Sequence, residues 1–125
     1  MNPTELAKIY MKSFFGEKPL EDLSSILSED LKFAGPFYTF NTGEEYIESL
    51  RESMPADAIS YEILQEVEKG NSCCLVYQSK RHGVCGVDEI MAQLFEVSNN
   101  QIIRIRLILD AAKLLKNNNP DYKPN

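Results

Sequence analysis

The chain has no tryptophan, one histidine and three cysteines in 125 residues. That leaves few soft metal ligands. Cys73 and Cys74 are adjacent, so in an extended segment they point to opposite faces. His82 and Cys85 supply no paired ligand spacing, and no metal site is expected. The cysteine count is odd, and "MNPTELAKIY" has no basic segment running into an apolar one. Reduced thiols in a cytoplasmic protein are therefore expected. No stretch approaches the ~18 apolar residues of a membrane span. Positive charge is scarce as well. Net charge is −6, and residues 1–57 hold the imbalance with 11 acidic against 5 basic side chains; residues 58–125 carry 8 of each. Nucleic-acid affinity comes largely from phosphate neutralisation, so this class is excluded; "SKR" at 79–81 is too short to change that. No phosphate-binding or metal motif is present, and no cofactor is expected.

What is present suits one globular domain: 43% hydrophobic and 26% charged residues in a length that can bury a core. Thr4 is positioned to cap a helix over 5–15, with Leu6, Ile9, Tyr10 and Phe14 on one stripe and Gly16 at its end. Pro19 opens a shorter helix with Leu20, Leu23 and Leu27 inward. "LKFA" (31–34) reads as a short strand, followed by a Gly35-Pro36 turn. "TGEE" (42–45) is a capping box, and its helix buries Ile47, Leu50 and Met54 before Pro55. The pattern then changes to strands at 59–67, 72–80, 88–97 and 102–109, with a Gly-containing loop at 81–87. The predicted order is α-α-β-α-β-β-β-β plus a short C-terminal helix, an α+β fold with helices on one face of the sheet. The domain is expected to span 1–116, with a flexible polar tail at 117–125.

Three segments in this order resemble the SnoaL-like branch of the nuclear transport factor 2-like superfamily, which includes the ketosteroid isomerases. "LSEDLKFAGP" (27–36) is similar to the family's "L…DV.F.GP", and "TGEEYIESL" (42–50) to its "G.EAI...L" helix. "LFEVSNNQIIRIRLILDAAKLL" (94–115) is similar to its closing "F.V.DGKI…R…FD...L" hairpin. "SNNQ" departs from the usual Gly turn, but Asn tolerates the left-handed backbone. The resemblance implies a cystatin-like cone: a curved antiparallel sheet wrapped around the N-terminal helices, with an apolar cavity at its open end. It also implies a homodimer through the outer face of the sheet. That fold serves binding modules, enzymes and association domains alike, so function must be argued from the cavity.

A two-residue Asn99-Asn100 turn pairs Val97 with Ile102 and, carried along, Phe95 with Arg104, Gln93 with Arg106, Met91 with Ile108 and Glu89 with Asp110. In that register Leu94, Ala92 and Ile90 oppose Ile105, Leu107 and Leu109 as a wholly apolar face. The mixed face makes Met91, Gln93, Arg106 and Ile108 candidate ligand contacts, with Phe14, Phe37 and Tyr38 lining or closing the mouth. Opposed carboxylates disfavour double ionisation, so Glu89 and Asp110 are either an acid/base pair or two solvated groups at the sheet's end. The resemblance carries a pocket aspartate over to Asp110, which also stands where an N-cap for 111–115 would. It likens Tyr10 to an oxyanion-hole tyrosine, against an ordinary core role, and makes His82 a rim proton carrier, against a solvated loop residue. Arg81 and Arg106 suit an anionic ligand group, and Cys85 reads as an inert thiol. Three functions follow as expectations. The first is a domain binding a small hydrophobic ligand in an apolar cavity. The second is a cofactor-free isomerase, cyclase or lyase acting on a ketone or polyketide-like substrate through Asp110. The third is an association domain acting by dimerisation.

Overall fold

The computed structural model describes residues 1–53, 59–81 and 88–110. Helix α1 spans Pro3–Phe14. Its cap is Asn2, whose Oδ1 accepts from the Glu5 amide at 2.8 Å. Thr4 is not the cap: its amide and hydroxyl donate to Glu68 Oε1 at 3.1 and 2.7 Å, tying the helix start to the sheet. Gly16, at φ +82°, takes the left-handed conformation that ends the helix. The second helical segment is shorter than expected. A 3₁₀ turn at Leu20–Asp22 leads into α2, Leu23–Ile26, and Leu27 already belongs to strand β1, Leu27–Ala34. A two-residue strand β2, Thr39–Phe40, returns along β1.

Helix α3, Gly43–Ser53, starts at the expected capping box. The Glu45 amide donates to Thr42 Oγ1 at 3.1 Å, and Glu45 Oε2 accepts from the Asn41 amide at 3.2 Å. Tyr46, Ile47 and Leu50 are its buried side chains. A Cβ on Gly43 would stand 2.5 Å from the Ser28 carbonyl oxygen, so only glycine lets α3 lie this close to β1.

Four long strands follow: β3 (Ile59–Lys69), β4 (Ser72–Arg81), β5 (Asp88–Ser98) and β6 (Gln101–Ile108). The sheet order is β2-β1-β6-β5-β4-β3. It is mixed, because β1 runs parallel to β6 while the other neighbours are antiparallel. Alternate side chains of the long strands face the helices. Cys73, Leu75, Phe95, Val97, Ile102 and Ile105 pack there against Leu6, Ala7, Tyr10, Met11 and Leu31.

Asn99 and Asn100 have φ of 52° and 60°, and Ser98 pairs with Gln101 and Val97 with Ile102, as a two-residue turn requires. The register then slips. Ile103 is an extra residue on β6, so Glu96 pairs with Arg104, Phe95 with Ile105, Leu94 with Arg106, Gln93 with Leu107 and Ala92 with Ile108. The expected pairs Phe95–Arg104, Gln93–Arg106, Met91–Ile108 and Glu89–Asp110 are therefore corrected. Without the bulge, Arg104 and Arg106 would point at the helices, where charge is costly to bury. The extra residue turns Ile102 and Ile105 inward together and leaves both arginines exposed.

His82, Cys85, Met54, the 111–115 helix, the 117–125 tail and the Arg81 side chain lie outside the described residues. Among the described residues no helix is long and apolar enough to cross a membrane.

Candidate functional site

The wall facing the helices changes along its length. Near the β3–β4 and β5–β6 turns it is dry and fully packed: Cys73, Leu75, Phe95, Ile102 and Ile105 are all buried. Toward the other end of the strands, buried polar groups appear. Tyr77, Ser79, Glu89 and Gln93 are 1%, 4%, 5% and 1% exposed. The apolar side chains around them are only half-buried: Tyr61, Ile63, Met91 and Leu107 from the sheet, Phe14 and Phe15 beside α1.

Two hydrogen-bonded groups organise this end. Tyr10 on α1 and Tyr46 on α3 are fully buried, and their hydroxyls share a hydrogen bond. Gln93 Nε2 donates to Tyr77 Oη at 2.6 Å. The Tyr77 hydroxyl in turn points at Met91 Sδ, 3.9 Å away, a weak contact. Gln93 Oε1 has no hydrogen-bond partner. Ring contacts run through the cluster: Tyr10 to Phe14 at 5.8 Å, Phe14 to Phe15 at 5.0 Å and Phe15 to Tyr61 at 4.4 Å.

Burial keeps these phenols protonated. It pushes Tyr10 well above its ordinary value, with the neighbouring Tyr46 and Tyr77 adding to the shift and the Gln93 amide opposing it. Burial raises Tyr46 too, against the bond from Tyr10. Tyr77 is pushed up to about 12 by burial, with Gln93 opposing. Burial likewise pushes the Cys73 thiol up to about 11, which makes it a poor nucleophile.

The expected site residues separate into two groups. Glu89, Met91 and Gln93 share the face of β5 turned toward the helices, and Tyr10 and Phe14 lie on α1. Asp110 is exposed, and continuing the β5–β6 pairing past Ala92–Ile108 sets it across from Ile90 rather than Glu89. Arg106 and Ile108 project from the outer face, Ile108 being 50% exposed, so the inward placement expected for them is corrected by the same bulge. Phe37 and Tyr38, 42% and 69% exposed, sit at the β1–β2 turn, where Tyr38 stacks on Phe40. Tyr46, Tyr77 and Ser79 were not singled out from the sequence. Their signals were there: Tyr46 shares the apolar stripe of Ile47 and Leu50, and Tyr77 and Ser79 share the parity of Cys73 and Leu75.

No family model matches the chain, and no curated protein sequence matches it. Solved structures do. A nuclear transport factor 2-like protein of unknown function from Cytophaga hutchinsonii superposes with TM-score 0.74 at 19% identity, covering 92% of this chain and 96% of that one. An LEH-like epoxide hydrolase from M. tuberculosis gives 0.78 at 16%, covering 90% and 86%. A candidate SnoaL-like polyketide cyclase from Shewanella putrefaciens gives 0.80 at 12%, covering 91% and 83%. The chain has the nuclear transport factor 2-like fold, an open α+β cone. At these identities the likeness defines the fold, and the activities of those proteins remain theirs.

Proposed function

We propose that this chain is a small-molecule-binding domain whose ligand lies against the polar end of the inner wall. One observation carries the reading. Inner-facing apolar side chains that would be fully buried in an ordinary core (Tyr61, Ile63, Met91, Leu107, Phe14 and Phe15) are half-buried together, around buried polar groups. An apolar lining with a few convergent hydrogen-bonding groups is the usual make-up of a ligand site. One solved structure with this fold is an LEH-like epoxide hydrolase, which supports a small-molecule reading. The test is a titration of the full chain with para-ethylphenol, followed by the methyl resonance of Met91. A saturable shift that Leu107→Trp abolishes is expected. A resonance that does not respond, or a response that survives Leu107→Trp, overturns the reading.

A catalytic version has its own support. Glu89 is a buried carboxylate of β5, and the Tyr10–Tyr46 phenol pair on α1 and α3 packs against Phe95 of the same strand. If the protein is an isomerase, cyclase or lyase, Glu89 then takes the acid/base role that the sequence resemblance assigned to Asp110, and the phenols polarise a substrate carbonyl. Self-association is the third reading. Val67, Ile90, Leu94 and Ile108, 56%, 58%, 39% and 50% exposed, put large apolar side chains on the outer face among its charges, which supports a homodimer through it. The free thiols of Cys73 and Cys74 agree with a cytoplasmic location.

A further inference from the structure

Tyr77 and Gln93 leave one donor and one acceptor poorly used, side by side on the inner wall. Gln93 is 1% exposed, and its Oε1 has no hydrogen-bond partner among the described residues. A buried acceptor of this kind costs free energy until a donor reaches it. Gln93 Nε2 donates to Tyr77 Oη at 2.6 Å, so the phenol oxygen accepts there and still carries its own hydrogen. That hydrogen points at Met91 Sδ, 3.9 Å away, and a thioether is a weak acceptor. Burial pushes the phenol up to about 12, which keeps the hydrogen in place at neutral pH. Oε1 and Nε2 share one amide carbon, so Oε1 and Tyr77 Oη stand within about 5 Å of each other. Leu107 lies directly across from Gln93 in the sheet, and Ile63 and Met91 flank Tyr77. All three are half-buried, unlike Leu75 on the other side of Gln93, which is 0% exposed. Met91 is unbranched and adaptable, so its sulfur can give way to a better acceptor.

We propose that the Tyr77–Gln93 pair binds an uncharged ligand through a carboxamide group. The ligand carbonyl takes the Tyr77 hydrogen in place of Met91 Sδ, and the ligand N–H donates to Gln93 Oε1. The apolar body of the ligand lies against Met91 and Leu107. The inference rests on the small-molecule reading above and narrows it to a ligand class. A carboxylate would set a second acceptor against Oε1. An ammonium would serve Oε1 but leave the Tyr77 hydrogen on sulfur. A ketone would take that hydrogen and leave Oε1 unsatisfied. An alcohol must make both bonds from one oxygen, whereas a carboxamide makes them from two atoms.

Calorimetry on the full chain tests this with four probes on one phenylethyl frame. These are hydrocinnamamide; benzylacetone, in which a methyl replaces the amide nitrogen; hydrocinnamyl alcohol; and hydrocinnamate. Hydrocinnamamide is expected to bind tightest, with benzylacetone and the alcohol weaker by about tenfold, the scale of one buried hydrogen bond. Hydrocinnamate is expected to bind weakest. Gln93→Met, which keeps the side chain's length, is expected to bring hydrocinnamamide down to the level of benzylacetone. Tyr77→Phe is expected to weaken both by about tenfold. The ranking on the unsubstituted chain decides the matter where a variant fails to fold. If any of the other three binds as tightly as hydrocinnamamide, or its lead over benzylacetone survives Gln93→Met, the carboxamide assignment falls and the small-molecule reading stands. If hydrocinnamamide does not bind while para-ethylphenol does, the assignment falls alone. If none of these compounds binds, both fall together.

Discussion

The Tyr10–Tyr46 pair allows a quantitative test of what holds the two helices over the sheet. The rings are 0% and 3% exposed and their hydroxyls share a hydrogen bond. Tyr10→Phe removes one hydroxyl and leaves the Tyr46 hydroxyl without this bond in a buried place. Its expected cost is about 1–3 kcal/mol, the scale of an orphaned buried polar group. Tyr46→Phe orphans the Tyr10 hydroxyl in the same way, at a similar cost of about 1–3 kcal/mol. The double variant removes both hydroxyls at once and orphans neither. It is expected to lose less than the two single costs combined, with a coupling of about 1 kcal/mol. Urea unfolding at neutral pH measures all four species, and unchanged m-values confirm that only stability has moved. If the two substitutions add within about 0.3 kcal/mol, the phenols are not energetically coupled and the hydrogen bond does not join the helices.

Three further outcomes follow from the same packing. Tyr77 is held at about 12 against an ordinary 10.0, and Tyr10 and Tyr46 are raised as well, so all three keep their protons when folded and release them on unfolding in alkali. That stabilisation is complete below the ordinary phenol value. It falls by up to about 1.4 kcal/mol per group per pH unit above it, until the folded values are passed. Tyrosinate absorbance alongside urea midpoints checks this; ionisation of all six tyrosines in one early wave, with the fold intact, contradicts it. Gly43→Ala is expected to destabilise by about 1–3 kcal/mol through overpacking against the Ser28 carbonyl. A gain of about 1 kcal/mol in thermal unfolding, as helix propensity alone would give, refutes the close approach. Leu94→Asp, on the outer face, is expected to yield a folded monomer in sedimentation if that face joins two copies; an unchanged sedimentation coefficient removes the dimer reading.

The α+β class and most element positions could be read from the chain because they rest on local chemistry. Thr42 and Glu45 form the cap that their spacing announces, and Asn99-Asn100 adopts the two positive φ values of a tight hairpin. Along β5 the alternation of Phe95, Gln93 and Met91 against Leu94, Ala92 and Ile90 sorts the faces correctly. What escaped depends on partners far away in sequence. Asn2 replaces Thr4 as the cap because Glu68, on β3, claims the Thr4 hydroxyl. Strand β1 pairs parallel to β6, a contact that no local pattern encodes. Tyr46 reads as one more apolar position on α3 until α1 brings Tyr10 against it.

The bulge at Ile103 has the widest consequences. A hairpin without it would bring Arg106 beside Gln93 and Asp110 across from Glu89, giving a wall with charges of both signs and an obvious carboxylate pair. One extra residue sends Arg104, Arg106, Ile108 and Asp110 to the other side and fills the inner face with Ile105 and Leu107. The side-chain period on a strand is two, so a slip of one residue exchanges the whole set at once. The physical driver is the cost of desolvating two guanidinium groups under the helices, set against one unpaired backbone residue. The same step changes the chemistry of the wall. With the arginines outside, the charged side chain buried on it among the described residues is Glu89, on the same face of β5 as Met91 and Gln93.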